Sequence, residues 1–292
     1  MDNKYNEQLC EDLKSIFDKV RIVNPLKNEI LNLSDEDTCI SEGECYSILK
    51  RKSMCENCVS IRAYNENKTF IKLDYNEGSI YSVIAIPINR YGEKYVLEGI
   101  IDITDSMLLN KSNSVSVKEV YNKVNNLNNL VITDELTGCY NRRYINERLP
   151  VEINEHKEKG KKLAVVIMDI DNFKTINDMY GHQVGDQVLK ETGSLIRRNI
   201  RKDCDWVSRY GGEEFLIVFK NMDNENLVHN TERIRKSIEK HVFKNNDSYF
   251  SLTASFGIIE MSDEFNEMDK IISEADKKLY KAKKLGKNMI IK

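Results

Sequence analysis

The chain has 292 residues, with 44 Lys and Arg against 47 Asp and Glu for a net charge of −3. That length suits two domains, and the mixed charge excludes a nucleic-acid surface as its organising feature, leaving small molecules or proteins as partners. No apolar run nears the ~20 residues of a membrane span, and no signal peptide opens the chain, so a soluble cytoplasmic protein without membrane or nucleic-acid partners is expected.

Leu9, Leu13, Ile16, Phe17 and Val20 recur at helical spacing and predict an opening amphipathic helix. Arg21–Asn24 reads as a short strand ended by Pro25. Four of the seven cysteines follow: Cys39, Cys45, Cys55 and Cys58. Cys55 and Cys58 have C-x2-C spacing, at which two thiolates can share a metal, with Cys39 and Cys45 as further ligands. A redox site and ordinary buried thiols are the alternatives. Thr69–Leu73, Ile80–Ile88 and Tyr95–Ile103 then read as an antiparallel meander.

Residues 106–133 read as a linker and helix, with Ser116 as N-cap and Glu119 at capping-box spacing. Val117, Val120, Val124, Leu127 and Val131 form an a/d stripe over about two heptads. The stripe suits a homodimer seam; packing on its own domain is the alternative.

In residues 134–292, a helix is expected from about Asp134 to Glu158. Leu163–Ile170 is an unbroken apolar run closing on Asp169, which predicts a buried strand. Carboxylates at the end of such a strand are costly unless paired or bound to a cation, and Mg2+ takes one or two carboxylates plus substrate phosphates. Gly211-Gly212 lies between two β-branched and aromatic runs, a signal for a two-residue hairpin, with Glu213 and Glu214 just after it.

Two resemblances add to this reading. Residues 1–105, ending in Asp102-Ile103-Thr104, are similar to a PAS-type sensor domain, which implies an unidentified sensor ligand. Residues 134–292 resemble the diguanylate cyclases through Asp134-x-Leu-Thr-Gly-x-x-Asn-Arg-Arg143, Asp169-Ile-Asp-x-Phe-Lys174, Asn177-Asp-x-x-Gly-His182, Gly185-Asp186, Arg209-Tyr-Gly-Gly-Glu-Glu-Phe215 and Ala275-Asp276…Lys283-x-x-Gly-Lys-Asn288. The resemblance implies an α/β (α+β) domain like the palm of nucleotide cyclases, with a central, mainly antiparallel sheet. By it Asp169, the Ile170 carbonyl and Glu213 hold Mg2+ or Mn2+, two ions per site. Glu213 and Lys174 serve catalysis, and Glu214 shapes the hairpin. Asn177 and Asp186 read the guanine of GTP, Lys283 and Lys287 take its terminal phosphates, and His182, Gly211 and Gly212 match further substrate-binding positions. The implied reaction joins two GTP into cyclic di-GMP in a dimer gated by the sensor. Lys202, Asp205 and Arg233 fall where many family members carry a product-inhibition site, but Lys202 replaces the Arg of that motif. A catalytically inactive nucleotide-binding regulator, or a cyclase of other base preference, would be the rival functions.

Overall fold

The apolar runs become two separate sheets in a computed structural model of the chain. The structure describes residues 12–13, 15–31, 40–51, 53–90, 92–108, 117–245, 248–262 and 264–292. They form two compact units, 1–131 and 132–292.

In the first unit the strands are β1 (Lys19–Asn24), β2 (Glu29–Leu31), β3 (Ile40–Glu44), β4 (Phe70–Asn76), β5 (Ser79–Arg90) and β6 (Glu93–Asp102). They make one antiparallel sheet in the order β3-β2-β1-β6-β5-β4. Helix α1 (Val59–Glu66) packs on one face, with Val59 and Ala63 meeting Val23, Val83, Val96 and Ile100 in a shared core. A 3-10 helix (Cys45–Leu49) leads toward it, and α2 (Thr104–Leu108) starts where Asp102 Oδ1 accepts the Thr104 N–H at 2.9 Å. Val20 belongs to β1, not to the expected opening helix, because it pairs with Gly99 on β6. Leu9, Cys39 and the Ser116 cap lie outside the described residues.

Helix α3 (Val117–Ile132) carries the expected stripe, and the structure divides it. Val124 is buried, Tyr121 stacks edge-on against Tyr75 at 4.7 Å, and the Asn128 amide donates to the Leu73 carbonyl at 2.9 Å. Positions 121, 124 and 128 share a helical face, so that face is used within the unit. Leu127 and Leu130, on the adjoining side, are 59% and 57% exposed.

The second unit has a five-stranded sheet, order β13-β12-β7-β9-β8, from β7 (Leu163–Ile170), β8 (Trp206–Gly211), β9 (Glu214–Lys220), β12 (Ala254–Glu260) and β13 (Ile290–Ile291); β10 (Phe243–Asn245) and β11 (Ser248–Phe250) form a separate ribbon. All pairings in the larger sheet are antiparallel except β12–β13. All eight residues of β7 are buried, as its unbroken apolar run requires for a central strand covered on both faces. The helices are α4 (Arg142–Lys159), α5 (Phe173–Tyr180), α6 (His182–Asn199), α7 (Asn224–Glu239) and α8 (Met268–Lys284). Helix α4 starts later than expected, because the Asn141 side chain caps it by accepting the Tyr144 N–H. Helix α8 lies so close to β12 that a side chain at Gly257 would strike the backbone of Ala275 and Leu279. Among the described residues no helix is long and apolar enough to cross a membrane.

Candidate active site

The site is assembled at one end of β7. Asp169 is its penultimate residue and is only 6% exposed. Across the ladder its register partner on β9 is Glu214. The hairpin before β9 turns on Gly212 and Glu213, one residue later than the expected Gly-Gly turn. Gly211 is already the last residue of β8 and pairs with Glu214, while Gly212 takes the positive φ of +50°. Glu213 therefore sits in the turn itself, beside the Asp169–Glu214 pair.

Three carboxylates drawn together in partial burial repel one another. Burial pushes the Asp169 carboxyl up from its ordinary value; Lys283 opposes this, and Glu213 and Asp171 add to it. Glu214 is raised as well, first by burial and then by Asp169, with Lys283 again opposing. The Lys283 ammonium on α8 stands 2.8 Å from Asp169 Oδ2 and supplies local positive charge. The resemblance gave Lys283 to substrate phosphates; here it pairs with a carboxylate. Oxygen donors gathered and held partly desolvated fit a hard divalent cation. Among the described residues no three such side chains converge tightly enough to hold an ion as they stand. A metal would displace the ammonium from Asp169, and Asp169, the Ile170 carbonyl and Glu213 would be its ligands.

Asp171, two residues on, has a different task. Its oxygens accept from Thr253 Oγ1 and Ser255 Oγ, both at 2.7 Å, and from the Asn288 N–H at 3.1 Å. It ties the start of α5 to β12 and the C-terminal loop. The same loop brings Lys287 Nζ within 2.5 Å of Asn172 Oδ1.

The residues expected at the base lie on α5 and α6. Asn177 is half-buried near the end of α5, and a Cβ at Gly185 would overlap its side-chain oxygen. Gly185 thus leaves room for that amide. His182 and Asp186 are exposed and one helical turn apart on α6, and Lys174 is exposed on the first turn of α5. An open cavity of about 430 Å3 borders the carboxylates on the other side, between α4 and α8, lined in part by Arg142, Tyr210, Glu214 and Asp276.

Two features were not anticipated from the sequence. Arg209 on β8 donates to the Gly212 carbonyl at 2.8 Å and reaches Asp134 at 3.3 Å. It links the hairpin turn to the first residues of the unit, where Asp134 also accepts from the Thr137 N–H and hydroxyl. At the expected product-inhibition position, Asp205 and Arg233 have partners of their own. Asp205 is held by Arg201, at 2.8 and 2.7 Å, and by the Lys220 N–H. Arg233 donates to the Asn199 carbonyl, and Lys202 is exposed.

The sequence pattern of the "Diguanylate cyclase, GGDEF domain" family matches residues 131–289, more than half of the chain. The chain belongs to this family. It is 33% identical over 164 residues to the response regulator PleD of Caulobacter vibrioides, spanning 56% of this chain and 36% of PleD. It is 36% identical over 158 residues to the diguanylate cyclase DosC of Escherichia coli, spanning 54% of this chain and 34% of DosC. The chain thus spans about a third of the length of these relatives. Among solved structures it is similar to the GGDEF domain of DgcB from Caulobacter crescentus in complex with c-di-GMP, with a TM-score of 0.53 and 31% identity over 55% of this chain and 94% of that one. The GGDEF unit therefore has the mixed α/β fold of this cyclase family.

Cys39 lies outside the described residues, and among those described no cysteine belongs to a group of three His, Cys, Asp or Glu arranged for a metal. Cys45 is buried, and Cys55 and Cys58 are half-buried.

Proposed function

We propose that the chain is a diguanylate cyclase that condenses two GTP into cyclic di-GMP with release of two pyrophosphates. The observation that carries this is the Asp169–Glu214 pair with Glu213 in the adjoining turn, set in a domain of the GGDEF family. Bound Mg2+ or Mn2+, two ions per site in this reading, supplies charge for the attacking and leaving oxygens. The protein's own part is positioning and electrostatics, which dominate this class of transfer. Asp186 accepts from the paired N–H donors of a guanine edge, with Asn177 beside it. An acidic acceptor there faces the ring acceptor of adenine unfavourably, since an unpaired polar contact is what rejects a wrong base. Lys283 and Lys287 neutralise the phosphates, Lys283 turning from Asp169 as they arrive. Glu213 takes or organises the proton of the attacking 3′-hydroxyl, and Lys174 stabilises charge on the reacting phosphate.

One site holds one GTP in this reading, so closing the ring requires two copies. Residues 1–105 act as a PAS-like sensor, residues 106–133 as the connector, and residues 134–292 as the catalytic domain. The sensor assignment is supported by an antiparallel sheet covered by α1 and by the Asp102–Thr104 junction. The sensor sets how two catalytic domains meet, through the connector. The test is the purified chain with GTP and Mg2+, followed by pyrophosphate release and chromatography of the nucleotide product. Formation of cyclic di-GMP supports the assignment; GTP bound without turnover at any protein concentration would favour the inactive regulator.

A further inference from the structure

Outside the catalytic unit, the densest reactive chemistry lies under α1, on the covered face of the six-stranded sheet. Residues two apart on a strand share a face. Glu98 lies between Val96 and Ile100 of the core, yet it is a buried charge. It is answered by Arg21, its register partner on β1, whose Nε donates at 2.6 Å, and by the Ser60 hydroxyl from α1. On β4, Lys72 and Asp74 pair at 2.9 Å with side chains 9% and 3% exposed. Arg51 also pairs with Asp74. Two cations on one carboxylate leave this group with an excess positive charge.

That excess faces the C-x2-C loop. Lys72 Nζ donates to the carbonyl of Asn57, between Cys55 and Cys58, at 3.0 Å. Cys58 is the N-cap residue of α1, so the loop meets the positive end of the helix as well. Burial pushes the Cys58 thiol up to about 12, and the neighbouring Cys55 adds to this. Cys45 lies in the same neighbourhood: it is buried, its thiol is pushed up by burial and by Cys58, and its Sγ stands 3.8 Å from Asn28 Oδ1.

The loop is also tied to the connector. Asn57 is 7% exposed, and its amide donates to Asn128 Oδ1 on α3 at 2.7 Å, while Asn128 donates in turn to the Leu73 carbonyl of β4. The residue between the two cysteines and the strand carrying Lys72 therefore hold the same side chain of α3.

We propose that Cys55 and Cys58 form a redox-active dithiol, and that its closure to a disulfide is passed to α3 through the Asn57–Asn128 contact. This rests on the reading of residues 1–105 as a sensor. The half-buried Cys55 sulfur attacks a low-molecular-weight disulfide, giving up its proton to the thiol it displaces. Cys58 then attacks the Cys55 sulfur, releasing the second thiol. Two cysteine thiols and one external disulfide become one internal disulfide and two external thiols. The two protons and two electrons leave with the external pair.

The test uses the full chain, reduced, desalted and equilibrated with graded ratios of reduced and oxidised glutathione, then acid-quenched and alkylated with N-ethylmaleimide. Trypsin releases Ser53–Arg62, which carries both cysteines. Under oxidising ratios this peptide is expected without adduct and lighter by two hydrogens, and under reducing ratios with two adducts. Cys45→Ser should leave this unchanged, while Cys55→Ser should abolish it. Hydrogen exchange of residues 117–132 should quicken on oxidation in the parent and not in Cys55→Ser. Two adducts at every ratio would overturn the dithiol, as would thiols protected by stoichiometric zinc that a chelator removes. A disulfide formed with unchanged exchange in 117–132 would overturn the transmission. Cyclic di-GMP formation is followed in the same samples. Turnover without the disulfide removes only this inference, and the disulfide without turnover removes only the cyclase assignment.

Discussion

Asp169 and Glu214 stand directly opposite each other on β7 and β9, both with carboxyls raised first by burial, Asp169 further by Glu213 and Asp171 and Glu214 further by Asp169. This gives the metal-free protein a defined pH response. A carboxyl raised in the folded state adds stability below its unfolded pKa, and that contribution is lost as pH rises through the folded value. Hydrogen-bonded carboxylates such as Asp223 and Glu239 are lowered and act in the opposite sense, so the informative quantity is a difference between variants. In chelator, Glu214→Gln should melt above the parent, and the gap should widen as pH is raised from about 4 to about 7. Saturating Mg2+ should narrow it. Melting curves across pH check this; a gap that shrinks toward neutral pH would contradict the raised carboxyl.

Glu213→Gln tests the turn carboxylate. Loss of residues that merely support a metal ligand costs about 10–100-fold, so loss of the ligand should lower turnover by about 100-fold or more. The melting temperature in chelator should change little, because Glu213 lies in the turn and not in a strand of the sheet. Product assay and thermal melting in parallel decide it, and near-parent turnover would remove Glu213 from the metal site.

Arg209 joins the hairpin turn to Asp134, and this pair should be coupled in function. Arg209→Ala frees the Gly212 carbonyl, and Asp134→Ala frees both Arg209 and the Thr137 turn. Residues sharing one hydrogen-bond network show interaction energies of about 0.5–3 kcal/mol. Each single variant should lower kcat more than it raises KM for GTP, and the double variant should fall short of the product of the two effects. Strict additivity in this cycle would mean that Arg209 acts on the turn alone.

Asp205 is engaged by Arg201 and by the Lys220 N–H, which argues against a product site built from Lys202 and Asp205. Added cyclic di-GMP should inhibit the parent and Lys202→Ala to the same degree. Asp205→Ala should instead cost stability, about 1–3 kcal/mol for the donors it leaves without a partner. Initial rates at increasing product, with denaturant melts of both variants, separate these roles.

Much of the catalytic unit was legible in the sequence because its signals are local. The apolar run of β7 announces a buried strand, and the β-branched and aromatic runs flanking Gly211-Gly212 announce the hairpin between β8 and β9. What was not legible depends on partners far along the chain. Asp171 looks like a second metal carboxylate beside Asp169, but Thr253, Ser255 and Asn288 claim it. The hairpin turn moved by one residue because Gly211 pairs with Glu214 and leaves the positive φ to Gly212. Val20 fits a helical stripe, yet pairing with Gly99 puts it in β1. The cysteines illustrate the same limit: spacing brings Cys55 and Cys58 together, but only the fold places Lys72 on the loop between them and Asn128 against Asn57.

The connector stripe gives the last prediction. Spacing alone put Val124 and Leu127 on one dimer seam, but Val124 is buried in its own unit beside Tyr121 and Asn128. The apolar surface left over is Leu127 and Leu130. If two copies meet along α3, Asp at both of these positions should separate them, since each charge would face an apolar strip without a partner. Activity per chain should then fall at low protein concentration and partly recover at high concentration, because separated catalytic domains can still collide, each carrying GTP. Val124→Asp should act differently: it buries a charge inside the first unit and should lower its melting temperature at every concentration. Asp at Asn122 and Asn126 should do little. Light scattering and specific activity over one dilution series check all five positions. A dimer unchanged by the Leu127 and Leu130 substitutions would place the contact between copies elsewhere, and loss of the dimer with full activity at low concentration would remove the need for two chains.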